Sequence, residues 1–309
     1  MRAVIFLVAV FLGLSFIKIF SQDRTLEYLQ QSGAATASDQ TQLVNELKDY
    51  HILFVPGFLS NFFTGMGRNS FTHWLHLSTY FQNQMDWSKA NGIEYSLVDV
   101  ESEASPEENS LAISAQITSI RKPIIIVGHS KGNVDILVTL LGHAHLQSKI
   151  KGWISLQGAF YGSPLADWTN RSKILRGFAR WLVRVMGGNI GSLVSLQTGV
   201  SKARMDASAG EIAQLTHAIP VISFVSYVDK QPWRISTLLF LSRNFMLKKF
   251  GRNDGLLPVA SGILPGSQVV LLPQVDHADP VMPSFVRRFD RVGMLKNFCA
   301  LVLRQVPRV

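Results

Sequence analysis

The chain predicts an α/β fold on a largely parallel sheet, and three observations carry that expectation. Short apolar runs rich in β-branched residues alternate with stretches of helical periodicity, the pattern of strands joined by crossover helices. One run, Ile124-Ile-Ile-Val127, is continuously apolar, as befits a strand covered on both faces. The 309 residues are 47% hydrophobic and only 17% charged, which implies a sizeable buried core and excludes a disordered chain.

The N-terminus stands apart from this rhythm. Met1-Arg2 precedes an apolar stretch, Ala3 to Ile17, interrupted at Lys18. A basic start and an apolar run of this length resemble a secretory signal. Bulky residues from Ile17 to Gln22 provide no small-x-small cleavage site, so an uncleaved anchor with Lys18 snorkelling to the interface is the alternative. Residues 1–22 are assigned to a signal peptide or signal anchor, so the protein is expected to be exported: secreted, periplasmic or membrane-anchored. Residues 23–50 form a polar helical extension (Leu26, Leu29; Leu43, Leu47), with Ser32 to Ser38 as a linker.

Residues 51–309 read as one domain. Its first strand, Ile52 to Val55, ends in Pro56-Gly57-Phe58-Leu59. Apolar positions at helical spacing follow from Phe71 to Met85, then a strand from Ile93 to Val98. Ser105-Pro106-Glu107-Glu108 has the makings of a helix start: a serine cap, a first-turn proline and a capping-box glutamate. That helix runs to about Ile120, where Lys122-Pro123 stops it before the central run. A helix over Asn133 to Leu141 comes next. Strands at Trp153 to Leu156, Val221 to Tyr227 and Val269 to Leu272 bring the total to about six.

An insertion at about 163–215 breaks the alternation. Ile174, Leu175, Phe178, Trp181, Leu182 and Val185 fall on one helical face, and Lys173, Arg176, Arg180 and Arg184 on the other. Such a helix either packs on the core as an ordinary surface element or acts as a lid whose apolar face turns to lipid. The net charge of +9 and pI near 9.8 favour anionic surfaces. No P-loop, zinc-type cysteine pattern or nucleic-acid motif accompanies that charge. A membrane surface is therefore the expected partner, and nucleic acid is not; nothing sets an oligomeric state. The single cysteine, Cys299, excludes an intrachain disulfide and a cysteine metal site. His73-x-x-His76 and His143-x-His145 lack a carboxylate pattern beside them, so no metal is assigned.

The chemistry centres on Gly128-His129-Ser130-Lys131-Gly132, which fits the G-x-S-x-G nucleophile elbow and stands where that motif must, between a strand and a helix. A serine hydroxyl needs a histidine base oriented by a carboxylate. In this strand–turn–helix context the partners follow in the order serine, acid, histidine. Of the histidines after Ser130, His143 and His145 end the serine's own helix, and only His277 comes just after the last strand. Two aspartates compete for the acid: Asp229 at the end of the fifth strand, and Asp254 in Asn253-Asp254-Gly255-Leu256. Spacing leaves them level. The oxyanion hole draws one backbone N–H from Lys131, after the nucleophile, and one from the loop after the first strand, where Phe58 is the expected donor.

The elbow, Asn253-Asp254-Gly255-Leu256 and His277-x-Asp279 together resemble the bacterial true lipases of the Pseudomonas and Burkholderia type, within the α/β-hydrolase superfamily. That resemblance implies a mostly parallel sheet with helices on both faces, a helical lid, and a serine esterase acting on lipids or other esters of apolar acyl chains. It favours Asp254 over Asp229, because the family's acid sits in an Asn-Asp-Gly-Leu motif. A structural calcium near the histidine loop is also implied. Asp279 matches one ligand position, but no second carboxylate is matched, and no other cofactor is expected. Gly158 to Asp167 resembles the loop leading into the lid, which gives Phe160 and Tyr161 a role at the pocket wall, with Phe178, Trp181 and Leu182 on the lid. Pro56-Gly57 departs from the His-Gly usual in the family. A phospholipase or acyltransferase would use the same triad, and a non-enzymatic membrane-associated protein on this scaffold is the rival of a different class.

Overall fold

The structure is a computed structural model in which residues 22–57, 80–101, 104–171, 194–229, 239–282 and 288–306 are described. In chain order its elements begin with strand β1 (Gln22–Asp23), helices α1 (Thr25–Ala34) and α2 (Ala37–Leu47), and β2 (His51–Val55). Next come α3 (Gln82–Ala90), β3 (Glu94–Leu97), α4 (Pro106–Ser119), β4 (Ile124–His129) and α5 (Lys131–Gly142). Strand β5 (Ile150–Leu156) leads to α6 (Pro164–Arg171), α7 (Thr198–Ala207) and α8 (Ala209–Ala218). Strand β6 (Val221–Tyr227), α9 (Phe240–Phe250), β7 (Gln268–Pro273) and α10 (Arg291–Leu303) complete the chain.

A strand made of Ile-Ile-Ile-Val is stable only if both faces are covered, and β4 is buried at every position. It lies inside a seven-stranded sheet of order β1-β7-β6-β5-β4-β2-β3, in which every pairing is parallel. Successive side chains point to opposite faces. Ile124 and Ile126 join one core with Ile113 and Ile117 of α4, Ile136, Leu137 and Leu140 of α5, and Trp153. Ile125 and Val127 join the other, with Leu295, Phe298, Cys299 and Val302 of α10 and Tyr28 of α1. Each such aliphatic side chain contributes roughly 1.5–3 kcal/mol by leaving water. The sheet order reverses between β2 and β4, and in an open parallel sheet the crevice for a ligand lies at the carboxyl ends of the strands beside such a reversal.

The helix predicted after Ser105 starts as the sequence requires: Ser105 Oγ accepts the Glu108 N–H at 3.2 Å, and the Glu108 carboxylate accepts the Ser105 N–H at 2.7 Å. Two local expectations change. Among the described residues the sheet has seven strands where about six were expected, because Gln22–Asp23 pairs with Gln268 and Val269 on the β7 edge. Two polar residues carry no periodicity, so only the partner strand reveals them. The stretch read as a linker, Ser32 to Ser38, is mostly helix. Thr36 opens α2 with its own capping box to Asp39, which leaves only two residues between α1 and α2. Among the described residues no helix is long and apolar enough to cross a membrane. Residues 1–21 of the expected signal segment and the amphipathic stretch from Lys173 to Val185 lie outside them.

Candidate active site

At the end of β4 the chain turns through Ser130 with φ +53° and ψ −126°. That conformation is costly for a residue with a Cβ, on the order of 1–3 kcal/mol, and survives only where neighbours enforce it. Here the Ser130 N–H donates to Leu156 O at 3.0 Å, while Ser130 O accepts from Asn133 N at 3.1 Å and Ala159 N at 3.2 Å. The flanking glycines are there for space. A Cβ at Gly132 would stand 2.7 Å from the Val55 carbonyl, and one at Gly128 would drive into Asn133 and Ile136. Asn133 cannot withdraw, since its side chain links Trp153 Nε1 at 3.0 Å to Leu156 O at 3.2 Å.

The Asn-Asp-Gly-Leu turn is built to present a carboxylate. Gly255 adopts φ +108°, and its N–H donates to Asn253 Oδ1 at 3.1 Å. Asp254 Oδ1 accepts the Leu256 and Leu257 N–H groups at 2.9 and 2.8 Å, which aims Oδ2 at His277. His277 Nδ1 donates to that oxygen at 2.8 Å, and the His277 N–H donates to Asp254 O at 3.0 Å. Both side chains are buried. A carboxylate can only accept, so the proton in this contact sits on Nδ1. Asp229, the rival acid, is exposed and accepts from Gln274 Nε2 at 2.8 Å.

Ser130 Oγ makes no hydrogen bond to His277. Sites without substrate often hold such contacts open. The elbow and the base loop nevertheless touch, through ring centroids of His129 and His277 that lie 4.7 Å apart. The base loop is braced from within: Asp276 Oδ1 accepts the N–H groups of Ala278 and Asp279, and Asp279 Oδ2 accepts that of Asp276, each at 2.9 Å. It is also braced from α3, where the Phe81 N–H reaches Val281 O at 3.0 Å and Gln84 Nε2 reaches Pro280 O at 2.7 Å. Asp279, matched by motif to a calcium ligand, accepts one N–H of this loop through Oδ2. Arg291, whose guanidinium burial holds below its usual range, lies near enough to Asp276 and Asp279 to feel both charges. Among the described residues no group of three or more His, Cys, Asp or Glu side chains gathers where a metal could sit.

The other predicted residues are distributed as follows. Lys131 has its amide next to Ser130 and its ammonium folded back onto Asp135 at 2.9 and 3.0 Å, both groups buried. Asn109 Nδ2 adds a third contact to Asp135 at 2.8 Å, yet burial still pushes that carboxyl up. Phe160, expected at the pocket wall, is buried in the core with its ring edge-on to Trp153 at 5.8 Å. The loop turns at Gly162, φ +72°, where a Cβ would meet Leu196 O. Tyr161 is half-buried at the edge of that core. Phe58, Phe178, Trp181 and Leu182 lie outside the described residues. The sequence reading missed His129, Tyr80 and Gln157, whose buried side chains meet at the base loop. The histidine inside the elbow was the one signal that could have pointed there.

A fully parallel sheet with helices on both faces and a strained serine turn at the end of an interior strand, β4, defines the α/β-hydrolase fold. Two solved structures share it with this chain. A metagenomic carboxyl esterase superposes with TM-score 0.66 at 21% identity, over 83% of this chain and 76% of that one. The mature lipase BlEst2 of Bacillus licheniformis superposes with TM-score 0.56 at 22% identity, over 73% of this chain and 84% of that one. No family model and no curated protein sequence matches the chain.

Proposed function

We propose that the protein is an exported serine hydrolase that cleaves carboxylic esters of apolar acyl chains, lipids among them. The observation that carries the proposal is the buried His277–Asp254 pair at 2.8 Å, set beside a strained serine elbow. That two structures of the same fold are a carboxyl esterase and a lipase supports the substrate class. Ser130 Oγ attacks the ester carbonyl while its proton passes to His277 Nε2. Asp254 holds the imidazole tautomer and stabilises the cation that forms. The Lys131 N–H, with that expected from Phe58, holds the oxyanion. His277 then protonates the departing alcohol, and water, deprotonated by the same imidazole, frees the acid from Ser130. The basic amphipathic segment would bring the enzyme to an anionic lipid surface.

A fluorophosphonate probe should label the wild-type chain at Ser130, and Ser130→Ala should lose both label and p-nitrophenyl butyrate hydrolysis with its circular dichroism unchanged. Asp254→Asn should lower kcat by about 10³–10⁴-fold through loss of the tautomer. Asp229→Asn should stay within about twofold of wild type, the size of effect expected for a group outside the transition state. A Ser130→Ala protein with full activity would refute the assignment.

A further inference from the structure

The histidine inside the elbow has no part in the mechanism above, yet both of its ring nitrogens are committed. His129 is 2% exposed. Its Nε2–H donates to the His277 carbonyl oxygen at 2.9 Å and, less closely, to Gln157 Oε1 at 3.2 Å. Nδ1 therefore carries the lone pair and accepts the Tyr80 hydroxyl. The Tyr80 oxygen in turn meets the Gly57 backbone N–H, in the turn after β2. One chain of hydrogen bonds thus runs from Gly57 N–H through Tyr80 and His129 to the carbonyl of the base. Its direction is fixed at both ends, because an amide N–H can only donate and a carbonyl oxygen only accept. Buried members of such a chain polarise one another, and each is expensive to leave unpaired.

Gly57 also packs against the nucleophile: a Cβ there would stand 2.9 Å from Ser130 Cβ and 2.8 Å from His129 O. The chain therefore ties together the turn that leads to the expected oxyanion donor, the elbow, and the loop bearing the base. Misplacing a reacting group by about 1 Å costs on the order of 10²-fold in rate.

We propose that His129 and Tyr80 are positioning residues, which hold the His277 main chain and the Gly57 peptide in one hydrogen-bonded chain so that base loop and oxyanion turn keep a common register with Ser130. The proposal rests on the reading of Ser130 as nucleophile. It acts through main-chain position, so it should appear in turnover rather than in substrate binding.

The two arms of the imidazole can be separated. His129→Gln keeps an amide donor near the Nε2 position and gives up the Nδ1 acceptor; His129→Asn does the reverse; His129→Phe loses both. Kinetics with p-nitrophenyl butyrate are run on the full chain, at a temperature where circular dichroism shows each variant folded. His129→Phe should lower kcat about 100-fold, the penalty of a misplaced base, with KM within about threefold. His129→Gln should recover most of that loss and His129→Asn should not, while Tyr80→Phe should fall between, about tenfold down. Equal kcat in the Gln and Asn variants, or a His129→Phe enzyme within about twofold of wild type, would mean the imidazole only fills space. A wild-type chain that takes no fluorophosphonate at Ser130 overturns the nucleophile reading and this one together. A labelled wild type with a fully active His129→Phe overturns this one alone.

Discussion

Burying an imidazole in its neutral form makes stability depend on pH, and the sign follows from where the proton can go. Desolvation, helped by the nearby His277, holds His129 well below the ordinary histidine value. The unfolded chain takes up a proton on this residue near pH 6.5, and the folded chain does not. Stability from His129 is thus present above that pH and is lost on acidification, with a slope of about 1.4 kcal/mol per pH unit. His51, half-buried and also depressed by desolvation, acts in the same direction. The contribution of His129 is therefore read by comparing two proteins. Between pH 7.5 and 5.0, urea unfolding of wild type should lose about 2 kcal/mol more than that of His129→Gln. Equal losses would mean that His129 is protonated in the folded state as well.

At the scale of elements, the serine turn depends on how closely α5 can approach the end of β2. Gly132 is the contact point, and what lies 2.7 Å from its missing Cβ is a backbone carbonyl, Val55 O, which cannot step aside. Gly132→Ala should cost about 1–3 kcal/mol by overpacking. It should also lower kcat, because the strain falls on Ser130. Gly210→Ala on α8, where nothing lies within 4 Å, is the matched control and should leave both unchanged or raise the melting temperature slightly. The same elements show what a sequence discloses. Continuous apolar strands and the Ser105 capping box are written in neighbouring residues, so β4 and α4 could be read directly. Gly128 and Gly132 could be read as a turn because the motif is local. The competition between Asp229 and Asp254 could not be decided by spacing, since both follow β6 and precede β7. What separates them is tertiary: one carboxylate meets Gln274, the other His277. Tyr80 and His129 are 49 residues apart, and no periodicity or motif joins them.

For the molecule as a whole, a sheet with all strands parallel gathers every loop of the site at one edge. Ser130 follows β4, Asp254 follows β6 and α9, and His277 follows β7. The opposite edge receives the start of the described chain, where Gln22 pairs with Gln268, the first residue of β7. One further property belongs to the whole molecule. Cys299 sits fully buried on α10, against the sheet and α1, with its thiol pushed up to about 12 by burial. At pH 8 such a sulfur is protonated and shielded from a disulfide reagent, so it reacts only when the core opens. The rate of its modification by dithionitrobenzoate should therefore climb with urea along the same slope as equilibrium unfolding; a rate indifferent to urea would reveal a local breathing path instead. The lone thiol that cannot staple the fold becomes a clock that counts how often the fold comes undone.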